Sequence, residues 1–106
     1  MPKKPKKPKK KLMGASGTAV LNFGATPVDE ASIVVTGQAG IAAGSHVEAF
    51  FMRETSADNS LEEHEEAAAL CGLVCGAIVA GTGFTIFAHT LAMLGIGQFN
   101  VRWVWA

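Results

Sequence analysis

The chain has only two cysteines, Cys71 and Cys75, and no tyrosine among its 106 residues. Two cysteines cannot form the set of disulfides that holds many small secreted domains together. Four residues apart on one strand, they would lie about 13 Å from each other, whereas the Cα atoms of a disulfide lie within about 7 Å. We therefore expect two reduced, buried thiols in a protein made in a reducing compartment.

Motifs for catalysis or nucleotide binding are also missing. The sequence contains neither Gly-x-Gly-x-x-Gly nor a P-loop, and the short run Gly81-Thr82-Gly83 indicates only a turn. A cysteine nucleophile needs a paired histidine, and none of the three histidines forms a motif with a cysteine. We expect no enzymatic activity, no cofactor and no small-molecule substrate.

Lysine is absent after residue 11, although the formal net charge of the whole chain is zero. The rest of the chain carries nine acidic residues against Arg53 and Arg102, which leaves a charge near −7. Proline recurs at Pro2, Pro5 and Pro8, which prevents a helix and favours an extended, polyproline-like arm. At about 3.1 Å per residue, such an arm reaches roughly 30–35 Å.

This basic arm is the predicted partner-binding site. It can dock into an acidic groove of another protein, or it can neutralise phosphates of nucleic acid without sequence preference, because no aromatic residue is interleaved for base stacking. A solvated tail is the third interpretation. The residues predicted to bind are Lys3, Lys4, Lys6, Lys7, Lys9, Lys10 and Lys11.

The body is predicted to be all-β, because short alternating or β-branched segments are separated by glycine turns. We expect a small antiparallel β-sandwich or jelly-roll-like domain over residues 18–106, preceded by a disordered-to-extended basic arm and linker over residues 1–17. A helical hairpin over 62–80 and 84–94 is the alternative. The six predicted strands are 18–23, 31–36, 46–53, 69–79, 83–90 and 98–105.

The acidic segment 55–66 is predicted to be an exposed loop with a short helix at most, since Ser60 and Glu63 match a capping box. His64 lies among four glutamates, but one histidine with flexible carboxylates defines no metal geometry. We expect a solvated acidic loop without a metal, which is also a candidate surface for the basic arm of a neighbouring subunit.

Two further features have competing interpretations. Trp103 and Trp105 lie on one face of the last strand, where core packing is favoured over an interface hot spot.

Residues 67–99 carry no formal charge and are long enough to cross a bilayer. The glycines and threonines within that segment argue against a membrane helix, which stays as an alternative.

Several runs resemble small β proteins encoded among phage virion genes. They are Ile-Val-Ala-Gly-Thr-Gly-Phe-Thr-Ile-Phe-Ala at 78–88, the ending 99–105, Val-Val-Thr-Gly-Gln at 34–38, and the loop from Asp58 to His64. The resemblance covers residues 28–106 and excludes the lysine arm. It supplies no catalytic residues to carry over.

This resemblance implies a virion structural protein, with a trimeric capsid decoration (cement) protein as the leading expectation and a tail-associated protein as the next. The implied partners are further copies of the chain and the major capsid protein or another virion protein. The protein would be made in the host cytoplasm and located in the virion. The alternatives are a nucleic-acid-condensing protein and a small membrane protein with a helix within 67–99.

Deletion of residues 2–11 is expected to leave the body folded, because the arm has no large apolar residue that could join a core. Attachment to the larger assembly should weaken. Binding by the full-length chain should depend on salt, because salt screens the lysine charges beyond about 8 Å at physiological ionic strength, and binding by the truncated chain should not. Circular dichroism and a salt titration of binding test both points. Equal binding of the two forms at every salt concentration would identify the arm as a solvated tail.

Overall fold

The computed structural model describes residues 14–91 and 95–106. These residues form six strands and one helix. In chain order the elements are β1 (Ala15–Asn22), β2 (Glu30–Val35), β3 (Val47–Phe51), α1 (Leu61–Leu70), β4 (Cys71–Val79), β5 (Gly83–Thr90) and β6 (Gln98–Trp105).

The strands form two antiparallel three-stranded sheets, with the orders β1-β6-β3 and β2-β5-β4. The prediction of a β-rich body with six strands is confirmed, and β5 and β6 have the predicted bounds. Strand β1 begins at Ala15, so Ala15, Ser16 and Gly17, which were assigned to the linker, pair with β6. Both sheets are antiparallel throughout, and β4 and β5 form a hairpin with a short turn between Val79 and Gly83.

The core lies between the two sheets. Phe99, Val101, Trp103 and Trp105 alternate along β6 with exposed or half-buried residues, and all four are buried. Strand β5 supplies most of the buried residues of the second sheet, and the ring of Phe84 meets that of Trp103 edge to face with centroids 5.4 Å apart. The prediction that both tryptophans belong to the core is confirmed.

The predicted alternative of a helical hairpin is wrong, because residues 71–79 and 83–90 are strands. Both segments contain glycine and β-branched residues, which disfavour a helix, and the β-branched residues also fit a pleated sheet. The proposed membrane helix within 67–99 overlaps the same strands. Across residues 14–91 and 95–106, no helix combines the length and apolar character needed to cross a membrane.

Gly83 starts β5 where that strand passes closest to β2. A methyl group at this position would overlap the carbonyl oxygen of Val35, and a backbone atom cannot swing away as a flexible side chain does. Glycine is required here because the backbones of two strands approach closely, and not because of a left-handed φ.

We therefore expect Gly83→Ala to lower the free energy of unfolding by about 1–3 kcal/mol, the range of overpacking in a dense core. Gly44→Ala is the matched control, since a methyl group at Gly44 meets nothing within 4 Å and should change stability by less than about 0.5 kcal/mol. Urea unfolding of the three proteins measures the difference. Equal stabilities would contradict the close approach of β5 to β2.

Candidate interaction surfaces

The predicted partner-binding residues Lys3, Lys4, Lys6, Lys7, Lys9, Lys10 and Lys11 lie outside the described residues, which begin at Gly14. The described residues contain no lysine, so their positive side chains are Arg53 and Arg102. Two surfaces of the body stand out beside them, one apolar and one lined by hydrogen-bond acceptors.

The apolar face is the outer surface of the sheet β2-β5-β4. Registry places Ser32, Phe87 and Val74 in one row across the sheet, Val34, Thr85 and Gly76 in the next, and Gly83 with Val79 beyond them. Three large members are more than half exposed: Val34 at 62%, Val74 at 66% and Val79 at 58%. We define the apolar face as Ser32, Val34, Val74, Gly76, Val79, Thr85 and Phe87.

No charged residue belongs to this face. Charge enters only in the row at its end, where Glu30, His89 and Gly72 are aligned. Gly76 places no side chain beside Phe87, and a methyl group there would only just reach the ring, at 3.9 Å. The ring of Phe87 is therefore open to a partner, with 44% of the residue exposed.

The outer surface of the other sheet is different. Arg102 lies at its centre, flanked by Thr18 and Phe50, and the next row aligns Ser16, Val104 and Glu48. Phe50 and Val104 are exposed here too, but each lies beside a charged residue, Arg102 or Glu48. A continuous uncharged patch is thus a property of one of the two outer sheet surfaces.

The free edge of β4 is interrupted. Its pairing with β5 shifts between Gly76 and Val79, and Ala77 has a φ of +50°, a left-handed conformation that disfavours residues with a Cβ. Bulges of this kind prevent a further strand from adding to a sheet edge. The β4 edge is therefore poorly suited to extending the sheet.

The acidic segment is more helical than the predicted exposed loop with a short helix at most. Leu61–Leu70 is a helix that begins with the predicted capping box, since the Glu63 N–H donates to Ser60 Oγ at 3.1 Å and the Ser60 N–H donates to Glu63 Oε1 at 2.6 Å. Its exposed carboxylates remain on the surface, and Glu65 pairs with Arg53 at 2.6 Å. That pair is largely exposed and contributes little to stability.

His64 is completely buried, which corrects its prediction as part of a solvated loop. Its ring packs on Phe99, and its Nε2 accepts the N–H of Asn100 at 2.9 Å. Nε2 is therefore unprotonated, so Nδ1 carries the proton and donates to the Ser60 carbonyl at 2.8 Å. Sequence reasoning missed this role because only the fold brings β6 to the helix.

The cysteines both lie on β4 and both are free thiols; Cys71 is buried, as predicted, whereas Cys75 is only half-buried. Burial raises the pKa of the Cys71 thiol above its ordinary value of 9.0, and a backbone hydrogen bond at His89 offsets part of that rise. Burial also raises the pKa of Cys75, and the negative charge of Glu48 adds to it. Both thiols therefore stay protonated near neutral pH and are poor nucleophiles.

A cleft of about 430 Å³ opens at the end of β1, lined by Asn22, Gly24, Ala25, Asp58, Ile96 and Gly97. Asp58 is held there because its Oδ2 accepts the N–H of Gln98 at 3.0 Å. Asn59 underlies the same loop, and its Nδ2 donates to the carbonyls of Ile96 and Gln98. Within the described ranges, no three His, Cys, Asp or Glu side chains are grouped as metal ligands would be.

Replacing His64 by phenylalanine keeps a ring against Phe99 but leaves the buried N–H of Asn100 without an acceptor. We expect this to reduce the free energy of unfolding by about 1–3 kcal/mol. His46→Phe is the control, because His46 is exposed and its change should be within about 0.5 kcal/mol. Similar urea midpoints for the two variants would contradict the role of His64.

The comparisons with known proteins give no relative: no family model, no curated protein and no solved structure matches this chain.

Proposed function

We propose that this chain is a non-catalytic structural protein that attaches to a larger assembly, acting as a capsid decoration protein of a phage virion. The apolar face is proposed to bind the shell, and the lysine arm to supply a second contact. The observation that carries the proposal is the uncharged outer surface of β2-β5-β4, with Val34, Val74 and Phe87 exposed.

The size of the apolar face supports a role that needs more than one contact. Three strands about 4.8 Å apart and three rows about 6.7 Å apart give roughly 300 Å². Exposed apolar patches of this size are often functional, but a stable interface buries about 800 Å² on each partner. The apolar face alone would therefore bind weakly, and a tethered second contact would raise the avidity by orders of magnitude.

The finer fold proposed is a jelly-roll-like β-sandwich. Successive strands β1 to β4 alternate between the two sheets, and the pairs β1–β6 and β2–β5 are those of one long hairpin wound into two layers. One shared core supports the sandwich, since buried residues from both sheets pack together. Jelly rolls recur in viral capsid domains, so this fold agrees with the proposed role but does not require it.

A nucleic-acid-condensing protein is the second candidate, and the observation that favours it is the seven lysines within eleven residues. The nine acidic residues of the body would repel the same phosphates. Duplex DNA of mixed sequence is the probe for this alternative. Retention of DNA by the full-length chain at about 0.15 M salt, with none by the form lacking residues 2–11, would favour it.

The test of the apolar face is a charge inserted at its centre. Val74→Lys should prevent attachment, because a partner would have to bury an unpaired ammonium group. Val104→Lys is the matched control: Val104 is also an exposed valine in a strand, but on the outer surface of the other sheet beside Glu48. Both substitutions are on the surface and should leave the circular dichroism spectrum unchanged.

The measurement is sedimentation of the tagged protein with shells from the producing culture, with immunogold labelling of the pelleted particles. The proposal predicts that the original protein and Val104→Lys pellet with labelled shells, whereas Val74→Lys stays in the supernatant. It is contradicted if the original protein labels no particle, or if Val74→Lys pellets as well as Val104→Lys.

A further inference from the structure

The cleft at the end of β1 has a chemical character that the apolar face lacks. Its charged lining residue is Asp58, an exposed carboxylate, and none of its lining side chains is cationic. Resting on the proposed function of the arm as a tether, we propose that a lysine of residues 3–11 from a second copy of this chain binds in this cleft and pairs with Asp58.

The oxygen atoms of the two polar side chains that line the cleft, Asn22 and Asp58, are placed to accept hydrogen bonds. Asp58 uses Oδ2 for the Gln98 N–H, which fixes the carboxylate and leaves Oδ1 for a ligand. Asn22 Oδ1 accepts the Gly24 N–H at 2.8 Å and keeps a second lone pair. The donors of Asn59 are both turned to backbone carbonyls. An ammonium group has three donors and no acceptor, which complements this lining.

The rest of the lining suits the methylene stem of a lysine. Ile96, 45% exposed, and Ala25 give an apolar wall, and lysine stems commonly lie along such surfaces while the charged head stays in a polar environment. Gly97 keeps the cleft open beside Asp58. Its φ is +77°, and a methyl group there would lie 2.7 Å from Asp58 Cβ.

Charge identifies the occupant. The described residues contain no lysine, Arg53 is already paired with Glu65, and Arg102 lies in the central strand of a sheet rather than on a projecting segment. Every lysine of the chain lies in residues 3–11, while all nine acids lie after residue 28. The chain therefore carries the complement of its own cleft in the arm.

The direction of the chain at Gly14 favours an arm from a second copy, since a reach of roughly 30–35 Å would span β1 in either case. Gly14 and the cleft lie at opposite ends of β1, whose eight residues span about 26 Å. A chain's own arm would have to reverse at Gly14 and run back along β1. The arm could not add to the sheet beside β1 as a further strand. Every second residue of such a strand donates its backbone N–H to the neighbour, and proline at every third position would remove some of these donors.

An arm that reaches a neighbour needs no reversal. The contact joins two different surfaces, the arm of one copy and the cleft of the next, and such heterologous contacts form a ring when the rotation between copies closes and an open filament when it does not. It is thus compatible with the predicted homotrimer.

Carbodiimide cross-linking of the full-length protein tests the proposal, because the reagent joins a carboxylate to an amine in direct contact and takes up the water released. Equal amounts of unlabelled and ¹⁵N-labelled chains are mixed before the reaction, so that peptides joined between copies contain both isotopes. The expected product links Asp58 of one copy to an arm lysine of another. It should decrease when salt is raised from about 0.1 M to about 1 M, which shortens the screening length from about 10 Å to about 3 Å.

Asp58→Asn should abolish this product and still fold, since the amide oxygen can accept the Gln98 N–H. Asp29→Asn is the matched control at another exposed aspartate and should retain the product. The proposal is overturned if the Asp58 links form only within single chains, if the arm is joined as often to the glutamates of α1, or if Asp58 gives no link. Shell attachment of the original protein without an Asp58 link would refute the cleft contact alone; links without shell attachment would refute the proposed function alone.

Discussion

Strand β6 holds this protein together, because it is the only strand of its sheet with a neighbour on both sides and it supplies the largest side chains of the core. Its odd-numbered residues face inward and its even-numbered residues face outward. A shift of one residue would replace the four inward-facing residues by Gln98, Asn100, Arg102 and Val104, three of which are polar. Registry in the first sheet is therefore strongly determined.

The helix depends on β6 as well. Strand β3 ends at Phe51. The Met52 N–H still donates to the Asn100 carbonyl, but on this side of β6 no strand residue accepts the Asn100 N–H. His64 supplies the missing acceptor from α1, so a side chain continues the hydrogen bonding of a ladder. The acidic helix is thus fixed to the sheet by one buried, neutral ring. Helix α1 can present its carboxylates to solvent because its inner side packs on Phe99 through His64, whose two ring nitrogens are both hydrogen-bonded.

The outer surfaces divide the chemistry of the chain. One sheet presents charge at Arg102 and Glu48, whereas the other presents an apolar face without charge. Carboxylates lie on α1 and at the cleft, and all lysines lie in the arm. Bodies of like charge repel one another except where a cationic segment intervenes. This separation is the physical basis for proposing that the apolar face binds a shell and that the arm binds neighbouring copies.

Much of the fold followed from the sequence. The period-two alternation in 98–105, the glycine turns and the capping box at Ser60 and Glu63 are local signals, and each specifies the local structure that is found. The spacing of Cys71 and Cys75 likewise determined that they could not pair with each other on one strand.

The tertiary structure alone decided the rest. Which strands share a sheet depends on contacts between residues distant in sequence, so the rows that build the apolar face from β2, β5 and β4 could not be predicted. His64 was assigned to solvent because its sequence neighbours are glutamates, but a helix turns every fourth residue to the same side, and that side meets Phe99. The cleft joins residues from 22 to 97, and only folding brings those backbone segments together.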